Sequence, residues 1–304
     1  MRLFLSALMV CAATIAPAFS ARAEVPHVVT DLPPVHALVA AVMGALGQPD
    51  LLADKGANAH NFQMRPSQAA GLQAADLVVW IGPEMTPWLE RALQGIPAGA
   101  ELRLLADPGT RLRHFAKDEQ GDTHADEEPG HSHDGTDPHA WLDPENARHW
   151  LGLIATTLAT QDPENAAIYT ENANKAAAEI AAIDAEISAL LATARNRPLV
   201  VYHDAYGYFA DHYGLTIAAT VAEGDAKAPG ARHLAEIETL LATTPACLLP
   251  EVNHDPKPMA QLAETSTRPL GAPLDPEGSL LPPGAALYGQ MLRALATAIA
   301  ACAG

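Results

Sequence analysis

Short β-branched runs alternate with Ala- and Leu-rich segments along most of the chain. "HVVTDL" (27–32) has the bulky apolar character of a strand, and a helix is predicted from Pro33 to Met43. "ADLVVWIG" (Ala75–Gly82) and "ELRLLAD" predict two further strands. The pattern restarts at "RPLVVYHDAYGYF" (Arg197–Phe209), runs on through "LTIAATVA" and "ACLLPEV", and ends in an apolar helix from Gly284 to Ala301. Strands alternating with helices predict parallel α/β layering. A pattern that restarts predicts two α/β lobes, each a short parallel sheet flanked by helices.

Between the halves the period changes. Asp162 is placed as an N-cap, Pro163 at the first helical position and Glu164 in the first turn. About 30 residues then run without Gly or Pro until Pro198. Ile168, Ala176, Ile180, Ile183, Ile187 and Leu190 recur at helical spacing and make one apolar stripe. At 1.5 Å per residue such a helix spans roughly 45–50 Å, too long for a small lobe. It is read as a spine joining two lobes; a helix seeking a coiled-coil partner is the other reading. The expected organisation is therefore 1–23, a signal peptide; 24–161, an N-terminal lobe with a His- and acid-rich loop at 114–137; 162–197, the spine; and 198–304, a C-terminal lobe.

The first 23 residues bear on where the protein resides. Arg2 gives a positive start, Leu3 to Phe19 is almost wholly apolar, and Ala21-Arg22-Ala23 is a small-x-small cleavage site. That is a secretory signal peptide, with the mature protein expected to be exported. "LMVC" lacks the small residue expected before a lipidated cysteine, so Cys11 is read as unlipidated. The mature chain keeps Cys247 and Cys302, and an even pair in an exported protein suggests one disulfide. A metal-bound thiol pair is the alternative. The formal net charge of −18 argues against nucleic acid and anionic membranes as partners.

Candidate chemistry lies in the histidines. His60 falls in "DKGANAHNFQMRPS", where Gly56 and Asn58 break regular structure before Pro66-Ser67 opens a helix. His139 falls in "DPHAWLDP", where two Asp-Pro steps restrict the backbone on either side. His203 directly follows the apolar strand of "LVVYHDAYGYF", at the end where open parallel sheets bind ligands. Asp275 follows the last short strand in "APLDPEG". Taken singly, each has an ordinary reading: a loop histidine, a packed histidine, a histidine among tyrosines, a turn aspartate.

Taken in order, "GANAH", "ADLVVWIGPEM", "DPHAWLDP", "YHDAYGYF", "APGARHLAEI" and "LDPEG" resemble the periplasmic solute-binding proteins of zinc-uptake ABC transporters, the ZnuA type of the metal-binding cluster A-I family. The resemblance covers essentially the whole mature chain, and "DPHAWLDP" and "YHDAYGYF" are its specific pieces. It implies two α/β lobes joined by a long rigid helix, with metal in the cleft between them. It places the three imidazole ligands on His60, His139 and His203. It also implies Zn²⁺ as cargo, an inner-membrane ABC permease as partner, a periplasmic metallochaperone as a further candidate partner, and a monomer. Relatives selective for manganese or iron tend to carry a carboxylate at the third position; His203 favours zinc there, since imidazole suits Zn²⁺ whereas Mn²⁺ prefers oxygen. Ala59 stands where some relatives have a carboxylate, so the fourth ligand is Asp275 or water, with Asp275 preferred. "LPEVNHDPK" departs from the family's Glu-Pro-Gln-like turn. A Cys247–Cys302 bond would tie the last helix to its sheet.

His124, His131 and His133 belong to the polar, acid-rich arm, which cannot build a core. They are expected to make weak, exchangeable metal contacts, with a solvated loop of no role as the alternative, and His114 is a further candidate for the arm. His27, His36, His149, His212, His233 and His254 are assigned no function. The expected function is zinc capture and delivery without a chemical step. Alternatives are a manganese-, iron- or copper-binding protein of the same fold, an adhesin or metal scavenger, and a secreted zinc hydrolase with Asp204 or Glu223 as base. Neither HExxH nor GxSxG occurs to support the last.

Overall fold

The computed structural model describes residues 24–53, 55–57, 60, 62–95, 100–115, 135–222 and 229–303. In the first half, β1 (Val28–Thr30), β2 (Asp50–Leu51), β3 (Leu77–Trp80) and β4 (Glu101–Arg103) form a parallel sheet in the order β2-β1-β3-β4. Around it lie α1 (Pro33–Met43), α2 (Pro66–Gln73), α3 (Pro87–Leu93) and α4 (Pro144–Gln161). The chain then enters α5 (Ala166–Leu190). In the second half, β5 (Leu199–Val201), β6 (Ile217–Thr220) and β7 (Cys247–Leu249) form a second parallel sheet, ordered β6-β5-β7. With it go α6 (Gly207–Tyr213), α7 (Ala231–Thr243), α8 (Lys257–Ser266) and α9 (Leu287–Ala303). The expected two-lobed α/β architecture is the observed one.

Strands β1, β3, β5 and β7 are buried on both faces, and the period-2 alternation sorts their residues into different cores. Along β3 and the residue after it, Leu77, Val79 and Ile81 enter the main core, while Val78 and Trp80 enter a smaller one. Along β5, the residue after it and β7, Leu199, Val201, Cys247 and Leu249 face the main core, and Val200, Tyr202 and Leu248 face the satellite core that includes Ile237, Leu241, Met259 and Leu262. The main core is continuous from β1 through α5 to α9. The two lobes are thus backed by one apolar body.

Helix α5 differs in detail from the predicted spine. It is 25 residues long, about 37 Å, with 3₁₀ turns at Pro163–Asn165 and Leu191–Asn196 on either side. Helices α4, α1 and α9 all pack against it. Its buried stripe is Tyr169, Ala173, Ala176, Ile180, Ile183 and Ile187. Ile168 and Leu190, assigned to the stripe from spacing alone, are exposed. At about 100° per residue, Tyr169 and not Ile168 falls in line with Ala173, Ala176 and Ile180, and Leu191 rather than Leu190 continues the stripe. Asp162 stands at the N-cap position of the first 3₁₀ turn without a side-chain capping bond; its Oδ2 accepts from Asn165 Nδ2 at 2.7 Å and from the Tyr169 hydroxyl at 2.8 Å. Cys247 and Cys302 form a disulfide that ties α9 to β7. No described helix is long and apolar enough to cross a membrane.

Candidate metal centre

His60 stands in the connection between β2 and α2 and is buried. The loop ahead of it is held by the other lobe, because the Gly56 N–H donates to the Ser279 carbonyl at 3.1 Å.

His139 precedes the turn Ala140–Leu142, which leads into α4; that helix is capped by Asp143, whose Oδ1 accepts the Glu145 N–H. Asp137 sets the histidine in place. Its Oδ1 accepts the His139 backbone N–H at 3.0 Å and the Nδ1–H at 2.9 Å, and its Oδ2 accepts Arg113 Nη1–H at 3.1 Å. With Nδ1 as donor, the lone pair of the ring lies on Nε2. That atom is buried and has no hydrogen-bond partner among the described residues, a costly state for an acceptor unless an ion takes it. The segment is docked on the second lobe as well. Tyr208 donates to the Asp137 carbonyl at 3.0 Å and accepts the Arg113 N–H at 2.7 Å. Trp141 Nε1 donates to the Pro276 carbonyl, and Tyr288 donates to the Trp141 carbonyl, both at 2.8 Å. Arg113 lies so close to Gly207 that any Cβ there would collide with its guanidinium, which accounts for the glycine in "YHDAYGYF".

His203 lies two residues beyond the end of β5. Its Nδ1–H donates to Glu251 Oε2 at 2.7 Å, and the Tyr206 hydroxyl donates to the same oxygen at 2.9 Å. Glu251 Oε1 pairs with His254 Nε2 at 3.2 Å. Burial pushes the Glu251 carboxyl up, but the charge and hydrogen bond of His203, with those of His254, outweigh it and bring the group down to about 2. Burial first, then Glu251, pushes the Tyr206 phenol well above its ordinary value, so it stays a donor.

The three rings converge. Centroids lie 5.7 Å apart for His60–His139, 5.3 Å for His139–His203 and 6.4 Å for His60–His203. One ligand atom from each lies within 4.8 Å of the others, and all three residues are 7% exposed or less. Three buried nitrogens at this separation suit a tetrahedral ion with one position left over. Asp275 lines the same cavity as His60 and His203 but stands outside that set of ligand atoms. Its Oδ1 accepts the Ser279 N–H at 2.9 Å and its Oδ2 the Leu280 N–H at 3.0 Å, around a turn in which Gly278 takes φ 63°. His124, His131 and His133 lie outside the described residues. His114 pairs with Thr136 in an antiparallel bridge at the base of that segment.

Glu251, Asp137 and His254 went unassigned in the sequence. One of them, Asp137, was within reach. Asp137 and His139 are two residues apart across a proline, a spacing that lets a carboxylate turn back onto the ring. Glu251 follows β7 by the same two residues by which His203 follows β5, and the parallel register Val201↔Leu249 sets the two side by side. Only the strand ends and their pairing reveal that offset.

Buried imidazoles gathered between two α/β lobes, one of them just beyond the carboxyl end of a parallel strand, define a metal-binding protein of the two-lobed solute-binding class. The family model described as zinc-uptake complex component A, periplasmic (ZnuA) matches residues 28–302. The high-affinity zinc uptake system protein ZnuA of Paracoccus denitrificans is 48% identical, covering 98% of each chain. The protein of that name from Brucella abortus is 30% identical over 90% of this chain and 91% of its own. A ZnuA crystal structure superposes with a TM-score of 0.75 at 23% identity, covering 92% of this chain and all of that one, which speaks for the fold. The chain belongs to the ZnuA family of zinc-uptake periplasmic components. It is a solute-binding transport component and not an enzyme.

Proposed function

We propose that this protein captures Zn²⁺ in the periplasm through His60, His139 and His203 and delivers it to an ABC-type permease of the inner membrane. The observation that carries the reading is the buried three-imidazole cluster with two of its rings oriented by carboxylates. Carboxylate-backed histidines are the arrangement that fixes tautomer and raises ligand basicity at zinc sites. Asp275 is the proposed fourth ligand. Its position on the cavity wall supports this, and an ionised carboxylate would lower the charge of the filled site from +2 to +1. Each Asp275 oxygen accepts one N–H and keeps lone-pair capacity for an ion. Export by the residue 1–23 signal and a role for the His-rich arm in gathering ions belong to the same reading.

Titration calorimetry tests it. Wild-type protein should show one tight zinc site. Deleting 124–133 should leave that site and lower the total stoichiometry, whereas His60→Ala, His139→Ala or His203→Ala should each remove it. Loss of the tight site on deleting 124–133 would mean that the histidines have been divided wrongly.

A further inference from the structure

Beside the three-histidine centre stands a second set of ligand atoms, from His203, Glu251 and His254, again within 4.8 Å of one another. The two sets share His203 and open on one cavity, whose walls include His60, His203, Glu251, His254 and Asp275 and which holds about 300 Å³ of space counting its open mouth. His254 is the more accessible member: its side chain is 15% exposed, against 5% for Glu251 and 6% for His203. Its ring is held by stacking on Tyr202, with centroids 4.3 Å apart. Glu251 faces both rings, one oxygen to each. An imidazole–carboxylate–imidazole set is a donor combination that zinc accepts, and it supplies the negative charge that three neutral histidines lack.

We propose that His203, Glu251 and His254 form an outer station for Zn²⁺, where the ion is held on its way into and out of the inner site. This rests on the inner site being His60, His139 and His203. The station and the inner site exclude each other through His203, because a neutral imidazole offers one lone pair. An ion on the station takes Nδ1, and the proton from Nδ1 passes to Nε2 through solvent. An ion in the inner site takes Nε2, and the proton returns to Nδ1, where Glu251 accepts its hydrogen bond. Glu251 thereby has two uses: it binds the ion at the station and stabilises the inner-site tautomer once the ion has moved inward. His254 serves the station alone, and nothing in "LPEVNHDPK" marks it before the β7 register is known.

The experiment uses full-length chain with His124, His131 and His133 replaced by Ala, titrated with zinc chloride against a weak chromophoric chelator. In that background, His60→Ala with His139→Ala should retain one weak zinc equivalent. Adding His254→Ala should weaken that residual binding by about tenfold or more, with thermal melts showing that both variants remain folded. In the otherwise intact background, His254→Ala should slow zinc release to excess chelator by about tenfold. Residual binding that is absent in the folded double variant, or indifferent to His254, overturns the proposal, as does a release rate that His254→Ala leaves unaltered. If His60→Ala with His139→Ala leaves tight binding intact, it is the inner-site reading that fails instead.

Discussion

His139 and His203 each donate Nδ1–H to a buried carboxylate, at 2.9 and 2.7 Å, but the two carboxylates keep different company. Asp137 is fully buried and is also held by Arg113 and by the His139 backbone N–H. Its segment is bolted to the second lobe through Tyr208, Trp141 and Tyr288. Glu251 has no arginine partner among the described residues; it holds Tyr206 and two histidines, one of them partly open to solvent. The same acid–imidazole pair therefore serves two ends. At His139 it locks the ring into the seam between lobes. At His203 it joins the ring to a network that includes a second, partly exposed imidazole.

The largest effects should come from the ligands themselves, with His139→Ala and His203→Ala both removing tight zinc binding in a competition assay. Next is Asp275→Asn, which keeps the shape and removes the charge. It should cost on the order of 2–3 kcal/mol, roughly a hundredfold in affinity. A change below about threefold would make water the fourth ligand and Asp275 only the anchor of its turn.

The carboxylates sharpen the contrast. Asp137→Asn and Glu251→Gln should each weaken zinc about 10- to 100-fold. Only Asp137→Asn should also lower the melting temperature markedly, because it frees a partly buried Arg113 and loosens the seam. Equal melting losses in the two variants would erase the distinction between the corners.

Two opposed pH trends complete the comparison. Zinc affinity should fall as pH drops from about 7 to 5, since imidazole, which ordinarily titrates near 6.5, must be neutral to bind; a flat profile would point to carboxylate-dominated ligation. His212, from the second lobe, lies 3.2 Å from Asp143 and 2.8 Å from Asp184, clasping the His139 side of the seam. Hydrogen bonding to Asp143, partly offset by burial and aided by Asp184, raises its pKa above the ordinary 6.5. A raised histidine stabilises fully below its unfolded pKa, and the gain is lost as pH rises through the folded value. His212→Ala should therefore lower the melting temperature of metal-free protein most below pH 6.5 and least well above the raised value. This is the smallest effect, and equal destabilisation at pH 5.5 and 9 would remove the ionic account.

How much of this was legible in the sequence follows from range. The β-branched runs at 77–80 and 199–201 and the proline-led helix at 33–43 are local patterns, and the structure has elements there. The two-residue strand β2 is too short to carry a pattern, and the stripe of α5 begins at Tyr169, which the aliphatic spacing passed over in favour of Ile168. The histidine cluster was legible through motifs on three separate segments. Glu251 and His254 were not, because their meaning comes from the pairing of β5 with β7 across about fifty residues of chain.

The most direct measurement is a crystal structure of zinc-loaded protein with anomalous data on both sides of the zinc edge. One dominant peak within bonding distance of His60, His139 and His203 Nε2, with Glu251 still on His203 Nδ1, is the predicted result. A dominant peak elsewhere, or one with any of these three histidines outside the coordination sphere, would contradict the account.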